Sequence, residues 1–221
     1  MLTGKSILVV GGTAGIGQAV ARLASARGAR VVVASRTAPA RTVDGLAGVA
    51  FDIASDAPQR LWAAVGTVDH LVIAVRPPMV HAPLSDVPED AARRAFDVKF
   101  WGQYRLARAA SDHLPEDGSI VLTSGIAGER IYPGSSTMAL INGATDTLCR
   151  VLAVELAPRR VNVVSPGFVA PKPAETERYA GTFPLGRLAT PDEVAGAYLH
   201  LITSPYTTGT VTVVDGGARL L

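Results

Sequence analysis

The segment Gly11-Gly12-Thr13-Ala14-Gly15-Ile16-Gly17 stands between an apolar run at residues 6–10 and a helical pattern at about 15–27. No other part of the chain constrains the fold as strongly. Glycine lets a backbone turn tightly and lets another group approach it closely. Glycine spacing alone does not discriminate, but a strand leading in and a helix leading out give it meaning. The helix that opens there offers free N–H groups and the positive end of its dipole, which suits the phosphates of a dinucleotide.

The rest of the chain repeats the strand-then-helix theme. Apolar, β-branched runs predict strands at 6–10, 30–34, 49–51, 70–75, 119–123, 160–164 and 210–214. Several are nearly continuous, as in strands buried on both faces of a parallel sheet. Helical patterns fall at about 15–27, 56–65, 88–114, 134–157 and 191–203. The last opens Thr190-Pro191-Asp192-Glu193, with an N-cap threonine, proline at the first helical position and early acids. This alternation predicts an α/β, doubly wound parallel sheet. With no linker or internal repeat, it reads as one domain over residues 1–221. Residues 36–50 leave little room for a full crossover helix. Residues 166–187 are rich in proline and glycine and are expected to arch over the carboxyl ends of the strands, as a lid or as a plain connection.

Composition closes off several function classes. Hydrophobic residues at 48% against 18% charged exclude a disordered chain. A net charge of +2 with scattered arginines gives no nucleic-acid stripe. No run of about 18 apolar residues is present to span a membrane, and the apolar run before Gly11 is too short for a signal peptide. His70, His81, His113 and His200 lack metal-ligand spacing, so no metal is expected. The lone cysteine, Cys149, cannot form an internal disulfide and reads as a small buried apolar residue, which fits a reducing, cytoplasmic setting.

The second strand ends Val33-Ala34-Ser35-Arg36. An acidic residue there would grip the ribose 2′-hydroxyl of NAD, whereas arginine suits a 2′-phosphate. Ser35 and Arg36 therefore favour NADP. Asp52, after the third strand, is placed either to accept from the adenine amine or to cap the segment beginning near Ser55.

With these features together, the chain resembles the short-chain dehydrogenase/reductase family over essentially its whole length. The resemblance rests on the glycine turn, Phe51-Asp52-Ile53, Asp69-His70-Leu71-Val72 and Gly118-Ser119-Ile120-Val121. It continues through Leu152-Ala153-Val154-Glu155-Leu156-Ala157-Pro158, Arg160 to Gly167, Pro184-Leu185-Gly186-Arg187-Leu188, and Thr208-Gly209 through Val214-Asp215-Gly216-Gly217. It implies an NAD(P)-binding Rossmann-like fold with a seven-stranded parallel sheet, and a homodimer or homotetramer paired through the two long helices and the last strand. It also implies cofactor contacts at Gly11, Thr13, Ala14, Gly15, Ile16, Gly17, Ser35, Arg36, Asp52, Ile53, Ala74, Pro166 and Gly167.

Family members use Asn, Ser and Tyr-x-x-x-Lys: the tyrosine exchanges a proton with the substrate oxygen, the lysine holds the nicotinamide ribose, the serine binds the substrate oxygen and the asparagine supports a relay water. Counting from the flanking motifs puts the tyrosine position at Met138, the lysine position at Asn142, the serine position at Gly125 beside Ser124, and the asparagine position at Lys99. Ile73-Ala74-Val75-Arg76 replaces the usual Asn-Asn-Ala-Gly. Lysine and asparagine are thus exchanged, and Met138 carries no transferable proton. Lys99 is expected to reach into the pocket from the opposite helix, to hold a ribose hydroxyl or to polarise or protonate a substrate oxygen; a solvated helix-surface lysine is the competing expectation. Ser124 and Asn142 are the other catalytic candidates, with Ser124 expected either to bind a carbonyl or to cap the following turn. Tyr132, Ser135, Ser136, Thr137, Trp101 and Arg76 are further candidates, with packing as the plainer expectation for Tyr132 and Trp101. The function expected is NADP(H)-dependent hydride transfer to or from a small carbonyl, imine or activated alkene. A non-redox isomerase, cyclase or dehydratase, or a non-catalytic dinucleotide binder, are the alternatives.

Overall fold

The computed structural model describes residues 2–38, 45–79 and 81–221. Seven parallel strands form one sheet in the order β3-β2-β1-β4-β5-β6-β7. They are β1 (Ser6–Val10), β2 (Arg30–Ser35), β3 (Ala47–Ala50), β4 (His70–Ile73), β5 (Ser119–Thr123), β6 (Arg160–Pro166) and β7 (Val211–Val214). The helices are α1 (Gly15–Ala26), α2 (Pro58–Val65), α3 (Glu89–Phe96), α4 (Gly102–Ala109), α5 (Ser136–Glu155), α6 (Ala174–Ala180) and α7 (Pro191–Thr203). The expected doubly wound fold is the observed one.

Alternate residues of β1 explain its unbroken apolar run. Leu8 and Val10 enter the core that holds Leu106, Leu148 and Leu152, while Ile7 and Val9 enter the core that holds Val20, Val194 and Leu199. A strand covered on both faces has no polar side to show. The chain builds β1, β2 and β3 outward in one direction and then crosses to place β4 on the other flank of β1. In sheets of this topology such a reversal leaves a crevice outside the carboxyl ends of the two strands, here β1 and β4, and ligands bind there.

Three details differ from expectation. The helix expected over 88–114 is interrupted by a π turn at Asp97–Trp101, where the Gly102 N–H reaches back to Asp97 O, and by a 3₁₀ turn at Ala110–Asp112. The 166–187 stretch contains α6, led in by Pro173 at the N-cap, and Val169 bridges in parallel to Ala189. Strand ends shift by a residue or two, and β4 stops at Ile73 because the next residues turn toward Gly11. Of the 36–50 segment, 39–44 lie outside the described residues, as does Val80 of the Arg76–His81 loop. At α7 the expected cap is present: Thr190 Oγ1 accepts from the Glu193 N–H, and the Glu193 carboxylate accepts from the Thr190 N–H.

Candidate active site

The glycine turn sits where β1 gives way to α1, and each glycine there has a separate reason. Gly11 has φ +86°, and a Cβ on it would lie 2.5 Å from Ala74 O. A Cβ on Gly17 would lie 2.2 Å from Gly11 O, so α1 can pack on the turn only with glycine there. At Gly15, with φ +52°, a Cβ would meet no atom within 4 Å. That open side adjoins the first turn of α1, whose N-cap residue Ala14 supplies no side-chain cap. Uncapped helical N–H donors facing open space fit the diphosphate of a dinucleotide.

Thr13 and Ser35 are joined directly. Thr13 Oγ1 donates to Ser35 Oγ at 2.9 Å, and Ser35 Oγ also accepts from the backbone N–H groups of Thr37 and Ala38. The glycine turn and the end of β2 are thereby one rigid corner, with the Arg36 side chain exposed beside it. Asp52 Oδ1 accepts from the Ala54 N–H at 3.0 Å, which turns the chain after β3 well ahead of α2. Ile53 is buried against Gly102, where a Cβ would come within 2.8 Å of its Cγ1. At the far side, the Gly167 N–H donates to Val214 O at 2.9 Å and holds the Pro166-Gly167 bend to the end of β7.

A second, polar cluster lies at the carboxyl end of β5. Lys99 projects from the π turn and is only 5% exposed. Its Nζ donates to Ser124 O at 2.7 Å and to Asn142 Oδ1 at 2.8 Å. The structure therefore brings Lys99, Ser124 and Asn142 together, and Lys99 is not a solvated surface lysine. A π turn admits one extra residue per turn and so directs a side chain where a regular helix would not. Burial lowers the Lys99 amine to about 7, while the Asp146 charge acts to raise it. Gln103, one helical turn on, accepts from the Thr123 N–H and donates to Lys99 O and Thr123 O, which locks the π turn to β5.

Gly125 and Gly128 close the other side. A Cβ on Gly125 would sit 2.9 Å from Asn142 Nδ2, and one on Gly128 would sit 3.0 Å from Asn142 Cβ. The Asn142 amide thus occupies the space that a side chain at 125 would need. Ser124 Oγ, expected either to bind ligand or to cap the next turn, makes no hydrogen bond among the described residues. Met138 lies one turn before Asn142 on α5, half-buried.

Other candidates are placed elsewhere. Tyr132 packs edge-on against Phe168 and donates from its hydroxyl to Ala218 O at 3.5 Å, so it belongs to the C-terminal packing. Trp101 is exposed and meets its helical neighbours Phe100 and Tyr104 edge-on. Cys149 is buried, and burial pushes its thiol up to about 12, which removes it as a nucleophile. Ser135 Oγ lies 3.4 Å from His81 Nδ1, while Arg76 is exposed past the end of β4. Among the described residues no group of three or more His, Cys, Asp or Glu could hold a metal ion. Gln103 and Asp146 were not anticipated. Each stands four residues beyond a site residue, Lys99 and Asn142, and that spacing was the available signal.

The chain matches the family model described as Enoyl-(Acyl carrier protein) reductase over residues 11–219. An uncharacterized oxidoreductase of Methylorubrum extorquens is 35% identical, with 99% of each chain covered. This chain belongs to the short-chain dehydrogenase/reductase family. It is an oxidoreductase of that family. The L-xylulose reductase of Bos taurus is 32% identical over 98% of this chain and 97% of its own. A solved short-chain family structure, a small-chain dehydrogenase in complex with NADPH, superposes with a TM-score of 0.89 at 33% identity, covering 98% of this chain and 99% of that one.

The close contact at Gly17 makes a direct prediction. Gly17→Ala forces the turn away from α1 and lowers stability in urea unfolding by about 1–3 kcal/mol, the usual cost of overpacking. Gly196→Ala, on an exposed face of α7 with nothing within 4 Å of the new methyl, raises it by about 0.5–1 kcal/mol.

Proposed function

We propose that the chain is an NADP(H)-dependent reductase, or the reverse dehydrogenase, of a small carbonyl, imine or activated alkene, with Lys99 as its proton donor. The observation that carries this reading is the buried Lys99 amine held between Ser124 O and Asn142 Oδ1 at the carboxyl edge of β5. Met138 stands at the family's tyrosine position and cannot donate, so a different acid is needed. Two of the three N–H groups of Lys99 serve the protein, which leaves one for a substrate oxygen or a ribose hydroxyl.

The relatives support the redox chemistry. A similar solved structure is an NADPH complex, one relative is an L-xylulose reductase, and the family model is described as an enoyl reductase. The preference for NADP rests on Arg36, a cation beside the rigid Thr13–Ser35 corner, where a 2′-phosphate would lie. The α1 N-terminus would hold the diphosphate, Asp52 and Ile53 the adenine side, and Ala74, Pro166 and Gly167 the walls of the crevice. When bound, the nicotinamide supplies or accepts a hydride. The protein orients the substrate, shields it from water, and moves one proton at Lys99 Nζ. Asn142 and Ser124 O hold the amine in one direction, so its proton is delivered without rearrangement. Exposed Trp101, Leu140, Val151 and Val154 on the helices that flank this cluster fit pairing into a homodimer or homotetramer. Among the described residues no helix is long and apolar enough to cross a membrane; the proposed setting is cytoplasmic.

The pH dependence has a defined sign. Reduction needs protonated Lys99, so kcat/KM falls by about tenfold per pH unit above a midpoint near 7. The oxidative direction needs the free amine and rises over the same window. Loss of nicotinamide absorbance against a panel of ketones, quinones, imines and conjugated enones tests the reading. Turnover in the wild type, lost by about 10²–10⁴-fold in Lys99→Met with NADPH still bound, is the expected result. Undiminished turnover in Lys99→Met removes Lys99 from the mechanism; NADPH binding without turnover on any of the panel favours a non-redox or non-catalytic role. Arg36→Ala is expected to weaken NADPH binding by about 10- to 100-fold, the worth of a charge-assisted contact, and to leave NADH binding unchanged in a fluorescence titration.

A further inference from the structure

Asp146 is a carboxylate without an obvious employment. It is 7% exposed, on the face of α5 one turn beyond Asn142, and its Oδ1 makes no hydrogen bond among the described residues. Ser124 Oγ, equally buried, makes none either. The Ser124 hydroxyl lies beside the Asp146 carboxyl, yet the two do not close a hydrogen bond of good geometry. Unpartnered buried polar atoms are costly and rarely retained without a purpose. Both residues belong to the surroundings of Lys99: the Ser124 carbonyl accepts from Lys99 Nζ, and Asp146 stands one turn beyond Asn142, whose Oδ1 accepts from it too.

We propose that Asp146 is a positioning residue for Lys99: a buried carboxylate that supplies the counter-charge favouring the cationic form of the Lys99 amine. The surroundings leave it that duty. The amine's direct partners, a carbonyl and an amide oxygen, are both neutral. The nearby Glu129 carboxylate is committed to Arg219 in an ion pair on the surface. Burial, aided by Glu129, holds the Asp146 carboxyl above the usual carboxylate range, while the Ser124 hydroxyl, Arg150 and Lys99 draw it back down. The Asp146 charge acts to raise the Lys99 amine against its burial. A cation and an anion near each other in low dielectric, but not in contact, stabilise each other's charged form without tying up the amine's remaining N–H.

The inference rests on the proposed role of Lys99 only for its effect on turnover, so its test reads the amine itself. Lysine occurs only at Lys5, Lys99 and Lys172, so protein labelled with ¹³C at lysine Cε gives few signals, and loss of one in Lys99→Met assigns it. In Asp146→Asn the Lys99 midpoint is expected to fall by about one pH unit or more, and in Asp146→Glu to return toward the wild-type value. A Lys99 midpoint unmoved in Asp146→Asn overturns the proposal. Should that variant not fold, the reciprocal measurement decides: in Lys99→Met the Asp146 carboxyl, followed by its ¹³Cγ signal, titrates at higher pH than in the wild type, and an unchanged midpoint overturns the proposal equally. A shifted Lys99 midpoint in a protein that never oxidises NADPH supports the coupling while removing the reductase reading, so the two stand or fall separately.

Discussion

The contact between two stretches of backbone, the Gly11 turn and the end of β4, sets up everything on the binding side of this molecule. Because β4 lies on the opposite flank of β1 from β2, the chain leaving β1 meets β4's carboxyl end at once. There is no space for a Cβ at Gly11 against Ala74 O, nor at Gly17 against Gly11 O. Two glycines therefore let a strand, a helix and a neighbouring strand converge at one point. The helix N-terminus that results is aimed into the crevice and left uncapped by any side chain. The Thr13–Ser35 hydrogen bond then ties β2's end to the same corner, so the Arg36 backbone is set by the same contact.

The polar cluster at β5 obeys a different economy. An ammonium group that is taken from water must be met by oriented oxygens or lose its proton. Here the π turn at Asp97–Trp101 turns Lys99 inward, Gln103 pins that turn to β5, and Asn142 and Ser124 O receive the amine. Gly125 and Gly128 have to be small because Asn142 fills the volume beside them. The residues at 99, 125, 128 and 142 are thus mutually dependent, and changing one without the others leaves either a clash or an unmet buried polar group.

Much of this was legible in the chain itself. The strand runs, the α7 cap and the glycine turn are local signals, each carried by a few adjacent residues, and they correctly led to the doubly wound sheet. Counting from family motifs exchanges the lysine and asparagine positions and makes Lys99 a candidate for the pocket, whereas its contact with Asn142 and its burial emerge only from the packing. What the sequence concealed depends on three-dimensional crowding. The π turn leaves no distinctive residue pattern, since helical periodicity continues on either side of it. Helix α6 hides in a segment whose prolines suggest irregularity, although Pro173 in fact serves as its N-cap. Asp146 reads as an ordinary polar residue of a long helix until the packing against Ser124 places it inside. Tyr132 has the chemistry of a proton donor, and only its position against Phe168 and Ala218 O assigns it to packing.

The proposed grip on NADP(H) rests on the corner formed by the glycine turn, Ser35 and Arg36, whatever chemistry follows. A calorimetric titration of the wild-type protein with NADPH and, separately, with NADH tests it most directly. Saturable binding of one NADPH per chain, tighter than that of NADH, is the expected result. Equal affinity for the two would contradict the role of Arg36, and no binding of either would contradict the whole assignment of the turn.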